Sequence, residues 1–118
     1  MVFSDRVQDH VARPRNCGEM PDADCVGTAG VPGDGPHVRI WLKLDGNKII
    51  KASYHTNGCP SSIACASALC ELGTGRELEK MKLLKAKDLI TYLGGLPEGK
   101  GYYADLAITA LQNAMEAI

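Results

Sequence analysis

Residues 56–64 read Thr-Asn-Gly-Cys-Pro-Ser-Ser-Ile-Ala, and this stretch predicts both the start of a helix and a reactive thiol. Pro60 suits the first position of a helix, where its missing N–H costs no hydrogen bond and its fixed φ is already helical. Cys59 then lies at or beside the N-cap, where unsatisfied N–H groups and the helix dipole favour a thiolate, a nucleophile and metal ligand. The alternative is a buried cysteine that packs as a small hydrophobe, the commoner role for a single cysteine. The glycine before Cys59 and the proline after it favour a functional role.

The length and charge of the chain limit its class. A chain of 118 residues is expected to form one domain over residues 1–118, because it can bury a core but is too short to divide comfortably. Its 13 Lys and Arg are balanced by 14 Asp and Glu, so no nucleic-acid partner is expected. The first residues contain no charged lead into an apolar segment, and no stretch approaches the roughly 20 apolar residues of a membrane span. We therefore expect a cytoplasmic protein with no membrane partner.

The cysteines favour free thiols over disulfides. Five cysteines, at positions 17, 25, 59, 65 and 70, are an odd number in a chain without an export signal. This count favours free thiols that take part in metal or sulfur chemistry. No Cys-x-x-Cys pair occurs, so neither a zinc ribbon nor a thioredoxin-like site is indicated.

Two alternating stretches predict a β-hairpin. Residues 38–44 alternate aliphatic side chains with Arg, Trp and Lys, and residues 49–55 form a second extended stretch. Residues 45–47, Asp-Gly-Asn, supply the turn between them. The preceding residues 16–36 are rich in Gly, Pro and Asp, which predicts long loops around a short edge strand at 25–28.

The rest of the sequence predicts helices. The predicted ranges are 5–11, 61–72, 77–82, 86–93 and 103–118. Ser4 is expected to cap the first helix, and Cys65 and Cys70 lie on apolar stripes where they are expected to pack rather than bind a ligand. A hairpin followed by helices predicts the α+β class, with a small antiparallel sheet packed against a layer of helices.

Four groups of residues occur together in a recognisable order. They are residues 3–16, with a helix that exits through Pro-Arg-Asn; 31–34, Val-Pro-Gly-Asp; 57–64, around Cys59; and Leu96-Pro97 with Lys100. In order, spacing and total length the chain resembles the NifU/IscU-type iron-sulfur cluster assembly scaffold family over nearly its full length. The resemblance implies a small antiparallel sheet packed against helices, which agrees with the pattern of the residues.

The resemblance also implies a set of site residues. Scaffolds of this family usually hold a cluster or a zinc ion with three cysteines, an aspartate and often a histidine before the last cysteine. Cys59 matches the central cysteine, Asp34 the aspartate and Lys100 a lysine near the site. Pro32 stands at the first cysteine position, and Tyr102-Tyr103 stand at the histidine-cysteine pair, where tyrosine replaces thiolate poorly. The implied metal ligands are Asp34 and Cys59, with Lys100 in a supporting position.

Other residues are candidates for the missing ligands. Cys17 and Cys25 lie in the loop-rich first half, and His37 follows Asp34 by three residues. Spacing alone does not bring them to Cys59, and an isolated Cys or His in a loop is more often incidental. The other histidines, at positions 10 and 55, are expected to be partly exposed residues of a helix and a strand.

The main functional hypothesis is a scaffold or carrier in iron-sulfur cluster assembly, which is not an enzyme. The resemblance implies that Cys59 accepts sulfur from a cysteine desulfurase or binds iron, and that the chain passes a transient cluster to apo iron-sulfur proteins. Asp34 would be a hard, labile oxygen ligand, which suits a cluster that must leave. Lys100 would stabilise thiolate or persulfide charge. The protein would act as a monomer or a homodimer.

A second hypothesis is a relative that has lost the cluster. It would act as a sulfur acceptor, a zinc-binding protein or a protein-interaction module in the same pathway. The tyrosine pair at 102–103 favours this hypothesis, because it places aromatic bulk where soft ligands should converge. A zinc ion held by Cys59 and Asp34 would need further ligands, since structural zinc takes four and catalytic zinc three plus water. A thiol enzyme built on Cys59 is the weakest alternative, because no base is placed beside it by the sequence.

Overall fold

The computed structural model describes residues 4–13, 17–31, 35–57, 60–96 and 99–117. The elements in chain order are α1 (Asp5–Ala12), β1 (Cys25–Gly30), β2 (His37–Asp45), β3 (Lys48–Thr56), α2 (Pro60–Gly73), α3 (Leu78–Lys82), α4 (Ala86–Tyr92) and α5 (Tyr102–Glu116). The α+β class is confirmed, with one small antiparallel sheet and helices packed against it. None of the helices within the described ranges is long and apolar enough to cross a bilayer.

The sheet has three antiparallel strands in the order β1-β2-β3. The predicted hairpin is β2 and β3, and it closes at Gly46, whose φ of 61° lies in the left-handed region that glycine adopts without strain. The pairing shifts by one residue between Lys43 and Leu44, which leaves Ile50 of β3 as a bulge. Alternation places one row of side chains on the helix-covered face. The row is Val38, Ile40, Leu42, Ala52 and Tyr54.

The central helix, α2, is buried on nearly every side. It contacts β3, α1, α4 and α5, and its residues 64–70 are all buried. These residues are Ala, Cys, Ala, Ser, Ala, Leu and Cys, small enough to let neighbouring elements approach closely. The prediction that Cys65 and Cys70 pack in the core is confirmed, since they are 0% and 1% exposed.

The first helix follows its predicted capping. Ser4 Oγ accepts a hydrogen bond from Val7 N at 3.1 Å, which satisfies one of the free N–H groups of α1. The Ser4 hydroxyl also donates to the carbonyl of Leu93 at the end of α4. One side chain therefore caps α1 and connects α1 to α4.

The last helix, α5, packs closely on the edge strand β1. A Cβ atom at Gly27 would lie 2.2 Å from both Ala110 O and Ala114 N. The Asn113 side chain also donates to Thr28 O at 2.9 Å, so a hydrogen bond joins the same two elements. The backbones approach so closely because glycine has no side chain there.

We expect Gly27→Ala to destabilise the fold strongly. The added methyl meets rigid helix backbone on two sides, so α5 must move away from β1, and the free energy of unfolding should fall by roughly 3 kcal/mol. Urea titration followed by circular dichroism measures this change. Gly101→Ala is the control, because its Cβ would lie 3.7 Å from the flexible end of Ile90. Equal stability of the two variants would contradict the close packing.

Candidate functional site

The stretch around Cys59 begins a helix, as predicted. Pro60 is the first residue of α2, and Cys59 directly precedes it in the chain. Ser61 and Ser62 follow in the first turn and are 0% and 1% exposed. Cys59 itself lies outside the described residues, as does Asp34.

The side chain of Asn57 joins the chain segments that flank these two residues. Its Oδ1 accepts from His37 N at 3.1 Å, and its Nδ2 donates to Gly35 O at 2.9 Å. In sequence Gly35 directly follows Asp34, and Asn57 precedes Cys59 by two residues. One amide therefore connects the end of the Asp34 loop to the start of the Cys59 turn.

Thr56 adds a second connection. Its hydroxyl donates to His37 O at 2.8 Å and lies 2.7 Å from Ser62 Oγ. Because the single Thr56 hydroxyl proton goes to His37, the Ser62 hydroxyl donates to Thr56. The start of β2, the end of β3 and the first turn of α2 are thus held together by side-chain hydrogen bonds.

Two buried polar atoms beside this junction have no hydrogen-bond partner. They are His37 Nδ1 and Ser61 Oγ. His37 is 8% exposed, and its ring packs against that of His55 with the ring centroids 5.7 Å apart. Buried polar atoms are nearly always hydrogen-bonded, so each of these two atoms needs a partner such as a bound water molecule. The same holds for Ser53 Oγ and Tyr54 Oη of β3.

Lys100, the third predicted site residue, lies just before α5. Its Nζ is 5.7 Å from the centroid of the Tyr103 ring, a cation–π distance. Tyr102 and Tyr103 stack with ring centroids 4.2 Å apart, and Tyr102 is 46% exposed. The Lys100 carbonyl also accepts a hydrogen bond from Tyr103 N at 3.2 Å. The structure therefore places Lys100 beside the tyrosine pair at the start of α5.

Cys25, one of the candidate substitute ligands, lies away from the junction. It pairs with Leu42, whereas His37 pairs with Gly30 at the other end of β1. Gly30 lies five positions after Cys25 in β1, which is about 17 Å along the strand. Burial, reinforced by Asp24, raises the pKa of the Cys25 thiol, which disfavours the thiolate that a metal needs.

Cys17, the second candidate, is exposed and pairs with Tyr54 at the outer edge of β3. Burial raises the pKa of the Cys70 thiol, and the nearby Cys17 raises it further. Tyr54 precedes Thr56 by two residues in β3. Of the three candidates, His37 is the one whose backbone is hydrogen-bonded to Thr56 and Asn57.

The expectation that His10 is partly exposed is wrong. His10 is 1% exposed; its Nδ1 lies 2.8 Å from Ser67 Oγ and its Nε2 lies 3.2 Å from Glu71 Oε2. Tyr92 also donates to Glu71 at 3.3 Å. His10 is a structural residue between α1 and α2. The expectation for His55 is confirmed, because it is an exposed strand residue.

A metal centre cannot be completed from the described residues alone. Across residues 4–13, 17–31, 35–57, 60–96 and 99–117, no group of three or more His, Cys, Asp or Glu side chains is arranged to hold an ion.

The sequence and fold both match a known family. A family model described as NifU-like N terminal domain matches residues 2–118. The chain belongs to this family.

Several NifU-like relatives are similar over most of their length. Iron-sulfur cluster assembly scaffold protein IscU 1 of Archaeoglobus fulgidus is 37% identical over 114 residues, covering 97% of this chain and 74% of the relative. The IscU scaffold protein of Aquifex aeolicus is 34% identical over 116 residues, with the same coverage of 97% and 74%.

A solved structure shares the fold. The structure of a putative iron-sulfur cluster assembly scaffold protein for the SUF system from Fervidobacterium islandicum superposes with a TM-score of 0.67. It is 21% identical and covers 96% of both chains. The arrangement of three strands and surrounding helices is therefore a NifU-like fold.

Sequence reasoning did not identify Asn57 and Thr56 as site residues. Both precede Cys59 closely in the sequence, and their side chains hold the junction together. The available signal was their position, since polar residues at the end of a strand, just before a helix, often bond to nearby backbone.

We expect Asn57→Ala to loosen this junction of the NifU-like fold. The variant loses both hydrogen bonds to Gly35 and His37, and the free energy of unfolding should fall by about 1–2 kcal/mol. Thermal and urea unfolding measure the change, and Gln112→Ala on the exposed side of α5 is the control. A variant as stable as the control would show that the amide contributes little.

The burial of the thiols predicts which cysteines react. At pH 8, iodoacetamide should modify exposed Cys17 in the native protein, while Cys25 and Cys70 should react only after unfolding. Their raised pKa values mean that the folded state holds these protons more tightly than the unfolded state. The burial of these protonated thiols therefore contributes fully to the free energy of unfolding below the ordinary thiol pKa of 9.0. This contribution is lost as the pH rises above that value.

Mass mapping of the modified peptides checks this pattern. A Cys70 that reacts as fast as Cys17 in the folded protein would contradict the burial of α2.

Proposed function

We propose that this chain is an iron-sulfur cluster assembly scaffold that accepts sulfur or iron at Cys59. The observation that carries the proposal is the Asn57 amide, which is hydrogen-bonded on both sides to the segment after Asp34. This bridge supports a site shared by the Asp34 loop and the Cys59 turn. The family match and the relatives named as IscU scaffolds support the same function.

Cys59 is proposed as the sulfur acceptor. The N-terminus of α2 favours a thiolate at the residue before Pro60, and a thiolate is the attacking form of cysteine. In the transfer, this thiolate attacks the outer sulfur of a persulfide on a cysteine desulfurase. A sulfur–sulfur bond forms at Cys59 as the donor's sulfur–sulfur bond breaks, and the donor cysteine leaves as a thiolate. The step is redox-neutral and needs no further reactant.

Asp34 and Lys100 are proposed to support the iron or sulfur bound at Cys59. A carboxylate is a harder ligand for iron than a thiolate, so an Asp34 ligand would favour release to apo iron-sulfur proteins. Lys100 has a flexible side chain that now lies against the Tyr103 ring, and it would offset anionic charge at a loaded site. In this role the chain carries its cargo and performs no turnover of its own, as a monomer or homodimer in the cytoplasm.

One observation favours a second candidate, a sulfur acceptor that does not assemble a cluster. Tyr102 and Tyr103 stack where the family places a histidine-cysteine pair, and Tyr102 is half exposed. An exposed aromatic is a frequent protein contact. Such a relative would pass sulfur through Cys59, or hold zinc with further ligands besides Cys59.

Reconstitution tests the proposed scaffold. We expect anaerobic protein supplied with iron, cysteine and a desulfurase to bind iron and acid-labile sulfide, with visible absorption that Cys59→Ser abolishes. Cys17→Ser is the matched control, because it removes an exposed thiol beside Tyr54.

The products distinguish the two candidates. Persulfide on Cys59 without iron or visible absorption would favour the sulfur acceptor. Equal loading of wild type and Cys59→Ser would contradict both.

A further inference from the structure

We propose that Arg39, His37 and His55 form a binding site for an oxyanion, either a phosphate group or a carboxylate, on the face of the sheet opposite α2. The three residues all lie within the described ranges. The site is separate from Cys59, so it goes beyond the proposed function and neither depends on the other.

The strand register brings the three side chains to one face. Arg39 of β2 pairs with Thr28 of β1 and with His55 of β3, and His37 precedes Arg39 by two positions on β2. Because side chains alternate between the two faces of a strand, they lie opposite the buried row that begins with Val38. Directly paired side chains are about 5 Å apart at Cβ and diagonal ones about 7–8 Å, which is within the reach of one polyatomic anion.

The ring of His37 is buried and incompletely paired. His37 is 8% exposed, its Nδ1 has no hydrogen-bond partner, and its ring packs against that of the exposed His55 with the centroids 5.7 Å apart. His10, the other buried histidine, has Ser67 at one ring nitrogen and Glu71 at the other. An unpaired atom alone does not identify a ligand, but this one shares its face with two further groups that can donate hydrogen bonds.

The guanidinium of Arg39 is positioned but only partly used. Its Nε donates to Thr28 Oγ1 at 3.1 Å, which holds the partly buried side chain against the sheet. Within the described ranges, its two Nη atoms form no hydrogen bond and no ion pair. These N–H groups keep the planar fork that binds a carboxylate or a phosphate through two parallel hydrogen bonds.

The charges on this face favour an anion at the His37 end. Lys43, the next cation along β2 on the same face, lies 4.0 Å from both Asp22 and Asp24. At the His37 end, the described strand residues on this face include no Asp or Glu. The positive charge of Arg39 attracts an anion and disfavours a metal ion at the two imidazoles. Each neutral imidazole still has one N–H group to donate.

The backbone of His37 is fixed before any ligand binds. Its N–H donates to Asn57 Oδ1 at 3.1 Å, and its carbonyl accepts from Thr56 Oγ1 at 2.8 Å. The site is thus built on paired strands and a hydrogen-bonded strand end. A ligand bound there orders little additional chain, which lowers the entropic cost of binding.

Nuclear magnetic resonance of the histidine rings tests this assignment. Inorganic phosphate and, separately, acetate are titrated at constant neutral pH, with chloride keeping the ionic strength constant so that general screening does not change. We expect saturable shifts of the His37 and His55 ring signals and none at His10, which is buried and paired in the core. Tighter binding of phosphate would identify a phosphate group as the ligand, and tighter binding of acetate would identify a carboxylate.

Three variants sharpen the test. Arg39→Gln removes the guanidinium and should raise the dissociation constant by about tenfold or more, since hydrogen bonds to charged groups are strong. His55→Ala removes the exposed ring and should raise it by about threefold to tenfold. Lys43→Gln is the matched control, because it removes a cation of the same strand and face that is already paired, and it should change the constant by no more than about twofold. Thermal unfolding of each variant confirms that it is folded.

The outcomes decide the assignment. The absence of a saturable shift with either anion would overturn it, as would equal affinity of the wild type and a folded Arg39→Gln variant. Equal losses in Arg39→Gln and Lys43→Gln would reflect only the general charge of the face and would also overturn it. If Arg39→Gln does not fold, Arg39→Lys keeps the charge without the fork and should still weaken binding by about threefold or more. Loading of Cys59 with iron or sulfur is a separate measurement, so the proposed function can fail while this site stands.

Discussion

The burial of α2 is the constraint on which the rest of the structure depends. A helix that contacts β3, α1, α4 and α5 cannot rotate without exposing apolar surface on one side and colliding with a neighbour on another. Its small residues allow this close packing, and its N-terminal end at Pro60 is therefore fixed relative to the sheet. A reactive residue at that end needs no rigid loop of its own, because the core holds the helix that follows it.

Much of this fold could be predicted from local patterns. The hairpin followed from alternation around Asp45 and Gly46, and the start of α2 followed from Pro60, because both depend on the chemistry of adjacent residues. The burial of His10 could not be predicted in this way. Its partners, Ser67 and Glu71, are more than fifty residues away in sequence and meet it only when α1 packs on α2.

The candidate site also has features that adjacent residues predict and features that depend on tertiary packing. The start of α2 at Pro60 followed from the sequence. Cys59, Asp34 and Lys100 stay predictions as site residues, the last two from the family resemblance. The sequence alone does not show which of Cys17, Cys25 and His37 lies at the junction of β2, β3 and α2. That position depends on which strand ends meet in the fold. The unpaired nitrogen of His37 is likewise a property of packing, since no sequence pattern distinguishes it from the paired nitrogens of His10.

The hairpin register has a consequence for how the site can vary. His37 begins β2 and Thr56 ends β3, while Gly46 closes the opposite end of the same hairpin, about 27 Å away. A residue inserted at that turn would shift Thr56 and Asn57 by one position relative to His37, and their side chains would then point to the opposite face. The bulge at Ile50 already shifts the pairing of β2 and β3 by one residue. The length of a distant, exposed turn is thus constrained by the chemistry at the other end of the sheet.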